Sequence, residues 1–288
     1  DILKSGKMNS WEADDYLQWY DAYDRFLKEK GFDKAFPTVD DLTRSMGNVS
    51  FYYQGRIIEN IRISNTVDAY AVNGWESMKL ENHSGIVDNY RFPKGDPEVM
   101  ARYNAPLYLA VKMNRKVVST GDTTLVDTYI VNEKNLKGSY ILNLVAKDES
   151  GNVVASHKER VTVKGGNDYG QCLQSSWAFI PKSKGYTRIE ASLLKGKTEL
   201  VKGDDLLFAV ELNTKGITTR GSVADTTGAL VNFLRGVGME VPVYKGGTPE
   251  GDYLLVGAYE PTQWGSGMSD IMEWVYKGHT LIIVDNPE

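Results

Sequence analysis

The sequence predicts a multidomain protein that combines α and β structure in three successive regions, residues 1–115, 116–201 and 202–288. Three observations predict it. The apolar period is mostly helical in the first region, shortens towards two in the second, and alternates between strand-like and helix-like runs in the third. A length of 288 residues allows two or three domains at roughly 100–200 residues each. With 41% hydrophobic and 25% charged residues, the composition is that of a globular chain, neither disordered nor collagen-like. No stretch approaches the ~20 consecutive apolar residues of a transmembrane helix, so no membrane span is expected.

In the first region, Asn9 with Glu12 has the spacing of a capping box. Leu17, Tyr20, Tyr23 and Leu27 then recur at helical spacing, and Gly31 closes the segment. Thr38 and Asp41 form a second capping pair, ahead of a helix carrying Phe51, Ile57, Ile58 and Ile61, with a break expected near Gly47. The stretch from Thr66 to Trp75 is short and β-rich and reads as a buried strand. Asp96 and Pro97 supply a cap and a first-turn proline for another helix, which Pro106 breaks or restarts before residues 107–113. One strand cannot make a sheet, so this region is expected to need partners.

The second region changes period. Thr124–Val131, Tyr140–Ala146 and Val153–Val163 alternate in part, with the turn Asp148–Asn152 between the last two. Ser176–Pro181 and Tyr186–Leu194 are further candidates. Short strands at about 8–12-residue spacing predict an immunoglobulin-like β-sandwich. The third region reads as strand Asp205–Leu212, helix Ala224–Leu234, strand Met239–Tyr244, strand Asp252–Gly257, helix Ser269–Tyr276 and strand Thr280–Val284. Strands between helices of this length predict a small, parallel, doubly wound sheet. No Gly-x-Gly-x-x-Gly follows its first strand and no Walker A motif occurs, which leaves nucleotide binding without support.

Charge and composition narrow the function. Lys and Arg number 33 against 38 Asp and Glu, a net charge of −5, which argues against a nucleic-acid partner. A single cysteine, Cys172, excludes an internal disulfide and a cysteine zinc cage. The three histidines (His83, His157 and His279) include no two within a helical turn, so no metal and no other cofactor is called for. The 17 Tyr and 6 Trp suit carbohydrate stacking, although large aromatics equally serve as core. The first residues lack an initiator Met and an apolar signal core, and a strand runs almost into Glu288, so both ends read as cut.

The densest polar run is Asn73-Gly-Trp-Glu76 followed by Glu81-Asn-His-Ser-Gly-Ile-Val-Asp88-Asn-Tyr-Arg91. Trp75 and Glu76 would end the buried strand, and the rest would lie on the loop behind it. An indole offers a flat apolar face for a sugar ring, while Glu, Asn, His and Asp supply the directional hydrogen bonds that a hydroxyl-rich ligand needs. A carboxylate pair such as Glu76 and Glu81 could also act as acid and nucleophile in glycoside hydrolysis. The plainer alternative has Glu76, Glu81 and Asp88 capping helices or pairing with Lys79 and Arg91. Elsewhere, no Gly-x-Ser-x-Gly elbow exists. Cys172 is expected to be a buried spectator, His157 (on a solvent face) and His279 structural, Trp264 a loop residue and Trp274 a core residue. Asp148–Asn152 lacks the pattern of a calcium loop.

At Asn73-Gly-Trp-Glu, at Gly85-Ile-Val-Asp88 with Arg91-Phe-Pro-Lys94, and at Tyr103-Asn-Ala-Pro-Leu-Tyr108, the chain resembles the rear part of glycoside hydrolase family 2-like enzymes, whose catalytic domain is a (β/α)8 barrel. In those enzymes a Trp ends the eighth strand, and a Gly-hydrophobic-x-Asp/Arg-x-x-Arg-x-Pro-Lys stretch leads into the last helix. The resemblance implies that residues 1–115 are the C-terminal part of such a barrel, followed by an immunoglobulin-like domain and an amidotransferase-like α/β domain of the sort that some bacterial glycosidases carry. Trp75 then maps to the sugar-stacking Trp, with Glu76, Asn82 and His83 placed in the cleft by position. The family's acid/base Glu follows a strand that this chain lacks. No catalytic carboxylate is therefore carried over, and Glu76 and Glu81 remain weak candidates. The implied partner is a carbohydrate, with association to the rest of the barrel or to another copy, and the implied location is periplasmic or extracellular. Two further readings stand beside it. One is a non-catalytic carbohydrate-binding or scaffolding module with an exposed platform such as Trp177; the other is a complete enzyme using Glu76 and Glu81.

Overall fold

The computed structural model describes residues 13–72, 74–75, 85–88, 90–217, 220–258 and 267–284. They fall into two units, Asp1–Ala209 and Val210–Glu288.

The first unit opens with helices α1 (Ala13–Glu29) and α2 (Val39–Ser64). Asp14 and Asp15 sit in the first turn of α1 and Lys28 in its last, matching the helix dipole at both ends. Gly31, at φ 72°, ends the segment as its sequence position implies. Of the expected apolar set only Leu27 is buried, while Leu17 and Tyr23 stand exposed. The capping pair ahead of α2 forms: the Thr38 backbone N–H donates to the Asp41 carboxylate at 3.0 Å, and Asp41 N–H donates to the Thr38 hydroxyl at 3.1 Å. The break expected at Gly47 does not occur, and α2 runs unbroken to Ser64. Gly47 instead marks a close approach, since a Cβ there would collide with the Lys94 carbonyl.

The strand expected over 66–75 is also absent among the described residues. Residues 66–72 form no ladder, and Val67, Tyr70 and Val72 are exposed. A β-prone sequence becomes a strand only where a neighbour takes its backbone hydrogen bonds, and no such neighbour is described. The described helices of region one before residue 107 are thus three α-helices and a 3-10 turn at Phe32–Lys34, the third α-helix being α3 (Pro97–Tyr103), whose cap Asp96 accepts from Glu98 N–H at 3.0 Å.

Eight strands follow: β1 (Leu107–Met113), β2 (Val117–Ser119), β3 (Thr124–Asn132), β4 (Gly138–Lys147), β5 (Val153–Val163), β6 (Gly170–Phe179), β7 (Gly185–Lys195) and β8 (Thr198–Val210). They form a three-stranded sheet in the order β1-β3-β6 and a five-stranded sheet in the order β2-β8-β7-β4-β5. Two boundaries move relative to the sequence reading. The β structure starts at Leu107, in a stretch assigned to the first region, and the strand assigned to region three at Asp205 is the second half of β8. Gly196, at φ 63°, turns a two-residue hairpin that pairs Lys195 with Thr198, and β8 then continues past the expected boundary at 201.

One apolar cluster lies between the two sheets. Leu142, Leu144 and Ala146 of β4, Ile189, Ala191 and Leu193 of β7, and Leu109, Val126 and Ile130 of β1 and β3 are all but inaccessible. A second cluster joins Phe51 and Ile58 of α2 and Met100 and Tyr103 of α3 to Tyr108, Ala110 and Val131 of β1 and β3. Gly55 lets this happen, because a Cβ there would enter the Tyr103 ring.

The second unit holds β9 (Gly221–Ala224), α4 (Ala229–Gly236), β10 (Tyr253–Val256), α5 (Gly267–Tyr276) and β11 (Thr280–Ile283). Its three strands are parallel in the order β11-β10-β9, around Ala224, Leu254, Val256, Ile271 and Trp274. The strand expected at Met239–Tyr244 shrinks to one parallel bridge between Val243 and Val223. Pro242 has no N–H to donate to a ladder, which limits pairing there.

Candidate functional site

Trp75 is the one sequence-predicted site residue within the described structure; Glu76, Glu81, Asn82 and His83 lie outside the described residues, as do Lys79 and Trp264. The Trp75 side chain is exposed, with 63% of the residue surface accessible. Its backbone is held: the Trp75 carbonyl accepts from Ile86 N–H at 2.9 Å and from Val87 N–H at 3.1 Å. Val87 pairs with Pro93, and Lys94 N–H returns to the Ile86 carbonyl at 3.1 Å. The tight turn between them closes on Asp88, whose carboxylate accepts from Tyr90 N–H at 2.8 Å and Phe92 N–H at 2.9 Å. Asp88 is thus occupied in shaping the turn; it is not the cap of a helix. Arg91 sits at φ 66°, a left-handed backbone that few non-glycine residues adopt.

This turn is anchored to the helices. The Lys94 carbonyl packs on Gly47 of α2, and Asp96 N–H donates to the Asn48 side chain at 2.6 Å. Burial lowers the Lys94 ammonium pKa, against the opposing pull of Asp88. The result is a solvent-facing indole on a backbone pinned through residues 85–96 to α2 and α3, which suits it to stack on a flat apolar ligand face.

The largest concentration of buried charge in the first unit was not apparent from sequence. Arg56 of α2 donates to the Val111 carbonyl through both terminal nitrogens and bridges two buried carboxylates, Glu59 at 2.9 Å and Asp205 of β8 at 3.1 Å. Glu59 also accepts from the Tyr108 hydroxyl at 2.7 Å and lies 3.4 Å from Lys112. Asp205 accepts from Lys116 at 2.7 Å and from the Tyr52 hydroxyl at 2.9 Å, and Lys116 also touches the Tyr52 hydroxyl. Arg62 completes the row, donating to the carbonyls of Tyr103 and Ala105 and to Glu133 at 2.6 Å. Burial raises the Glu59 carboxyl pKa despite the nearby Arg56 and the Tyr108 hydrogen bond. Burial, with Arg56 close by, lowers that of Lys112. The signal that would have revealed this cluster is the stripe Tyr52, Arg56, Glu59 and Arg62, polar residues at the spacing of one helix face. With each carboxylate accepting a hydrogen bond through one oxygen and ion-paired with Arg or Lys through the other, the cluster is a clamp between α2 and the strands and not an open acid–base pair.

Other expectations resolve residue by residue. Cys172 is exposed on β6, not buried, and partial desolvation of its sulfur together with the charge of Asp127 raises its pKa, which disfavours the reactive thiolate. His157 is half-buried, stacked on Trp177 with ring centres 6.2 Å apart, so it does not lie on an open solvent face. His279 stacks on the buried Trp274 at 4.6 Å. Trp177, the expected platform of a binding module, is itself half-buried and packs on Phe179. Asp148 shapes the β4–β5 hairpin by accepting from Ser150 and Asn152 N–H groups. In the second unit Asp225 accepts from Thr227, Leu230 and Val231 at the start of α4. Burial raises its carboxyl pKa, but those hydrogen bonds outweigh it and hold it below the usual value. The helix terminus is thereby filled by the chain's own anion. Among the described residues no group of three or more His, Cys, Asp or Glu could hold a metal, and no helix is long and apolar enough to cross a membrane.

No family model matches the chain, and no curated protein matches it. Among solved structures, a glycosyl hydrolase family 2 member from Bacteroides cellulosilyticus aligns with 54% of this chain and 22% of its own, at 14% identity and a TM-score of 0.30. Bacteroides uniformis β-glucuronidase aligns with 57% of this chain and 22% of its own, at 15% identity and a TM-score of 0.30. The CARDB domain of a Pyrococcus furiosus protein aligns with 37% of this chain and 94% of its own, at 15% identity and a TM-score of 0.26. The chain therefore spans about a fifth of the glycosyl hydrolases it aligns with, 22% in both cases. Similarity at this level assigns neither an activity nor a site.

Proposed function

We propose that the chain is the C-terminal part of a glycoside hydrolase acting on O-glycosidic bonds of poly- or oligosaccharides, supplying sugar-cleft residues around Trp75 and the accessory units behind them. The observation that carries the reading is the exposed Trp75 indole on a backbone pinned by the Gly85–Lys94 turn, within the motif that resembles the family. The strand order also supports it. One sheet in the order β1-β3-β6 and another in the order β2-β8-β7-β4-β5 correspond to strands A-B-E and A′-G-F-C-C′ of an immunoglobulin-like sandwich. In this reading the parallel second unit is the amidotransferase-like accessory domain, and the protein works in the periplasm or outside the cell. Glu76 and Glu81 are the carboxylates whose role the reading leaves to experiment.

The helices add a partner to the proposal. Trp19, Tyr23 and Phe26 on α1, around a hollow of about 360 Å³, and Met46, Val49, Tyr53 and Ile57 on α2 are exposed apolar stripes. Stripes of this size are covered in a working protein, and the reading assigns them to the remainder of the barrel or to a second copy. A monodisperse 32-kDa monomer in light scattering, from a chain of 32.1 kDa, would count against that partner.

The test of function is a panel of aryl glycosides and neutral oligosaccharides with the folded chain and three variants. The reading expects no turnover, and oligosaccharide binding that Trp75→Ala abolishes. Turnover lost in Glu76→Gln or Glu81→Gln would establish a complete enzyme instead. Binding untouched by Trp75→Ala would remove the cleft assignment.

A further inference from the structure

The outer face of the five-stranded sheet has its own chemistry, and nothing in the Trp75 reading uses it. Residues paired across antiparallel strands point to the same side, so the register defines the rows of this face. One row is Lys158, Asn143, Ser192 and Lys202, crossing β5, β4, β7 and β8. The next is Ser156, Val145, Glu190 and Asp204, and beyond it come Lys147, Arg188 and Leu206. The face ends in Tyr186 and Phe208, opposite one another with ring centres 4.7 Å apart and Tyr186 half exposed. The intervening residues of the same strands, such as Leu142, Leu144, Leu193 and Leu207, point into the core.

Charge on these rows runs against that of the whole chain. Lys147, Lys158, Arg188 and Lys202 stand there with Glu190 and Asp204, four cations against two carboxylates, in a protein of net charge −5. Both carboxylates are already paired, Glu190 with Lys147 at 2.7 Å and Asp204 with Arg188 and Arg102. Lys158 and Lys202 are exposed at the two ends of one row, about 14 Å apart at ~4.8 Å per strand.

We propose that this sheet face binds an anionic polysaccharide of the uronate type. Lys158 and Lys202 meet sugar carboxylates, Asn143, Ser192 and Glu190 exchange hydrogen bonds with hydroxyls between them, and the Tyr186–Phe208 pair takes the apolar face of a ring. The interleaved carboxylates distinguish this ligand from nucleic acid. A duplex carries a negative charge every ~1.7 Å along its axis, so Glu190 and Asp204 would face phosphates, whereas a polyuronate presents hydroxyl donors that carboxylates can accept. The cations at the row ends distinguish it from a neutral glycan. The inference stands independently of Trp75.

Native gels containing polygalacturonate, neutral xylan or neither, run beside a duplex-DNA mobility assay, provide the test. Polygalacturonate should retard the chain, and retardation should weaken when ionic strength rises from about 0.05 to about 0.3 M. The Lys158→Ala/Lys202→Ala double variant should weaken binding by about tenfold or more, and Tyr186→Ala by several-fold. Circular dichroism melts verify that these surface variants remain folded. Retardation by polygalacturonate that falls in the Lys158→Ala/Lys202→Ala variant but survives in Trp75→Ala belongs to the sheet face; retardation lost in Trp75→Ala and kept in the lysine variant belongs to the cleft and overturns the proposal. Retardation of Trp75→Ala by xylan equal to that by polygalacturonate, tighter binding to DNA, or full retention in the double lysine variant would each overturn the proposal.

Discussion

The first unit contains two interiors that use opposite chemistry. Between the sheets, Leu142, Leu144, Ile189, Leu193 and Leu207 make an aliphatic layer, joined by Tyr140 and Phe179. Between α2 and the strands, the buried contacts alternate Phe51 and Ile58 with Arg56, Glu59 and Arg62. Aliphatic packing is non-directional, so it fixes which face of each strand is buried but ties no single side chain to a particular partner atom. The Arg56 guanidinium must reach the Val111 carbonyl and Asp205 while paired with Glu59 on its own helix, and a shift of α2 by one residue breaks both contacts to the strands. The contrast teaches where position, as opposed to stability, is specified: the helix that leads to the Trp75 turn is held by directional bonds.

Breaking each interior separately should show this. Glu59→Ala leaves the Tyr108 hydroxyl and Arg56, though still held by Asp205, beside an empty site, and removing one partner of a buried pair costs about 3–5 kcal/mol. Leu193→Ala opens a cavity in the aliphatic layer and should cost about 2–5 kcal/mol, towards the middle of that range in a well-packed sheet. Urea unfolding measures both. A Glu59→Ala loss below about 1 kcal/mol would mean the clamp adds little and the contrast is empty. The two variants should differ most in the amide exchange of α2, which only Glu59→Ala should accelerate.

The second effect is smaller and depends on pH. Burial raises the folded-state pKa of Glu59 above its ordinary 4.5. A raised carboxyl pKa contributes stability that is present below the unfolded value and lost as pH rises through the folded one. Relative to Glu59→Gln, which carries no charge there, the wild type should therefore lose ground as pH climbs from about 4.5 towards neutrality. Leu193→Ala should show no such divergence. Melting curves of the three proteins across that range decide it, and parallel wild-type and Gln curves would contradict the burial of a titrating carboxyl.

The two interiors also differ in how well the sequence disclosed them. Alternation in Tyr140, Leu142, Leu144 and Ala146 marks β4 without help from other strands, and the Thr38–Asp41 pair marks the start of α2, because both signals are local. What the sequence concealed was non-local. Residues 66–75 have the composition of a strand, but pairing depends on a neighbour that composition does not announce. The break inferred at Gly47 follows from propensity, whereas the glycine is there because the Lys94 carbonyl, 47 positions later, lies against it. Leu107–Met113 reads as part of the helical region because the change of period that marks it is completed only by pairing with β3. Of the candidate site, the Trp75 and Gly85–Lys94 motif was legible; Glu59 and Asp205 were not, since their partners lie on strands far away in sequence.

The smallest expected effect tests whether the turn beneath Trp75 is specified as tightly as α2. Arg91 holds φ at 66°, which an L-residue adopts at a cost of about 1 kcal/mol, while glycine adopts it freely. Glycine also gains freedom in the unfolded chain, an opposing effect of comparable size. Arg91→Gly should therefore change stability by only a few tenths of a kcal/mol. Arg91→Val places a β-branched side chain in the same backbone and should cost more than 1 kcal/mol. Because Asp88 already fixes the turn through Tyr90 and Phe92, neither variant should alter the maximum of the Trp75 emission, read among the six tryptophans as the difference between spectra with and without Trp75→Phe. A shift with Arg91→Gly would show that the strained residue itself, and not the Asp88 hydrogen bonds, positions the backbone beneath the indole.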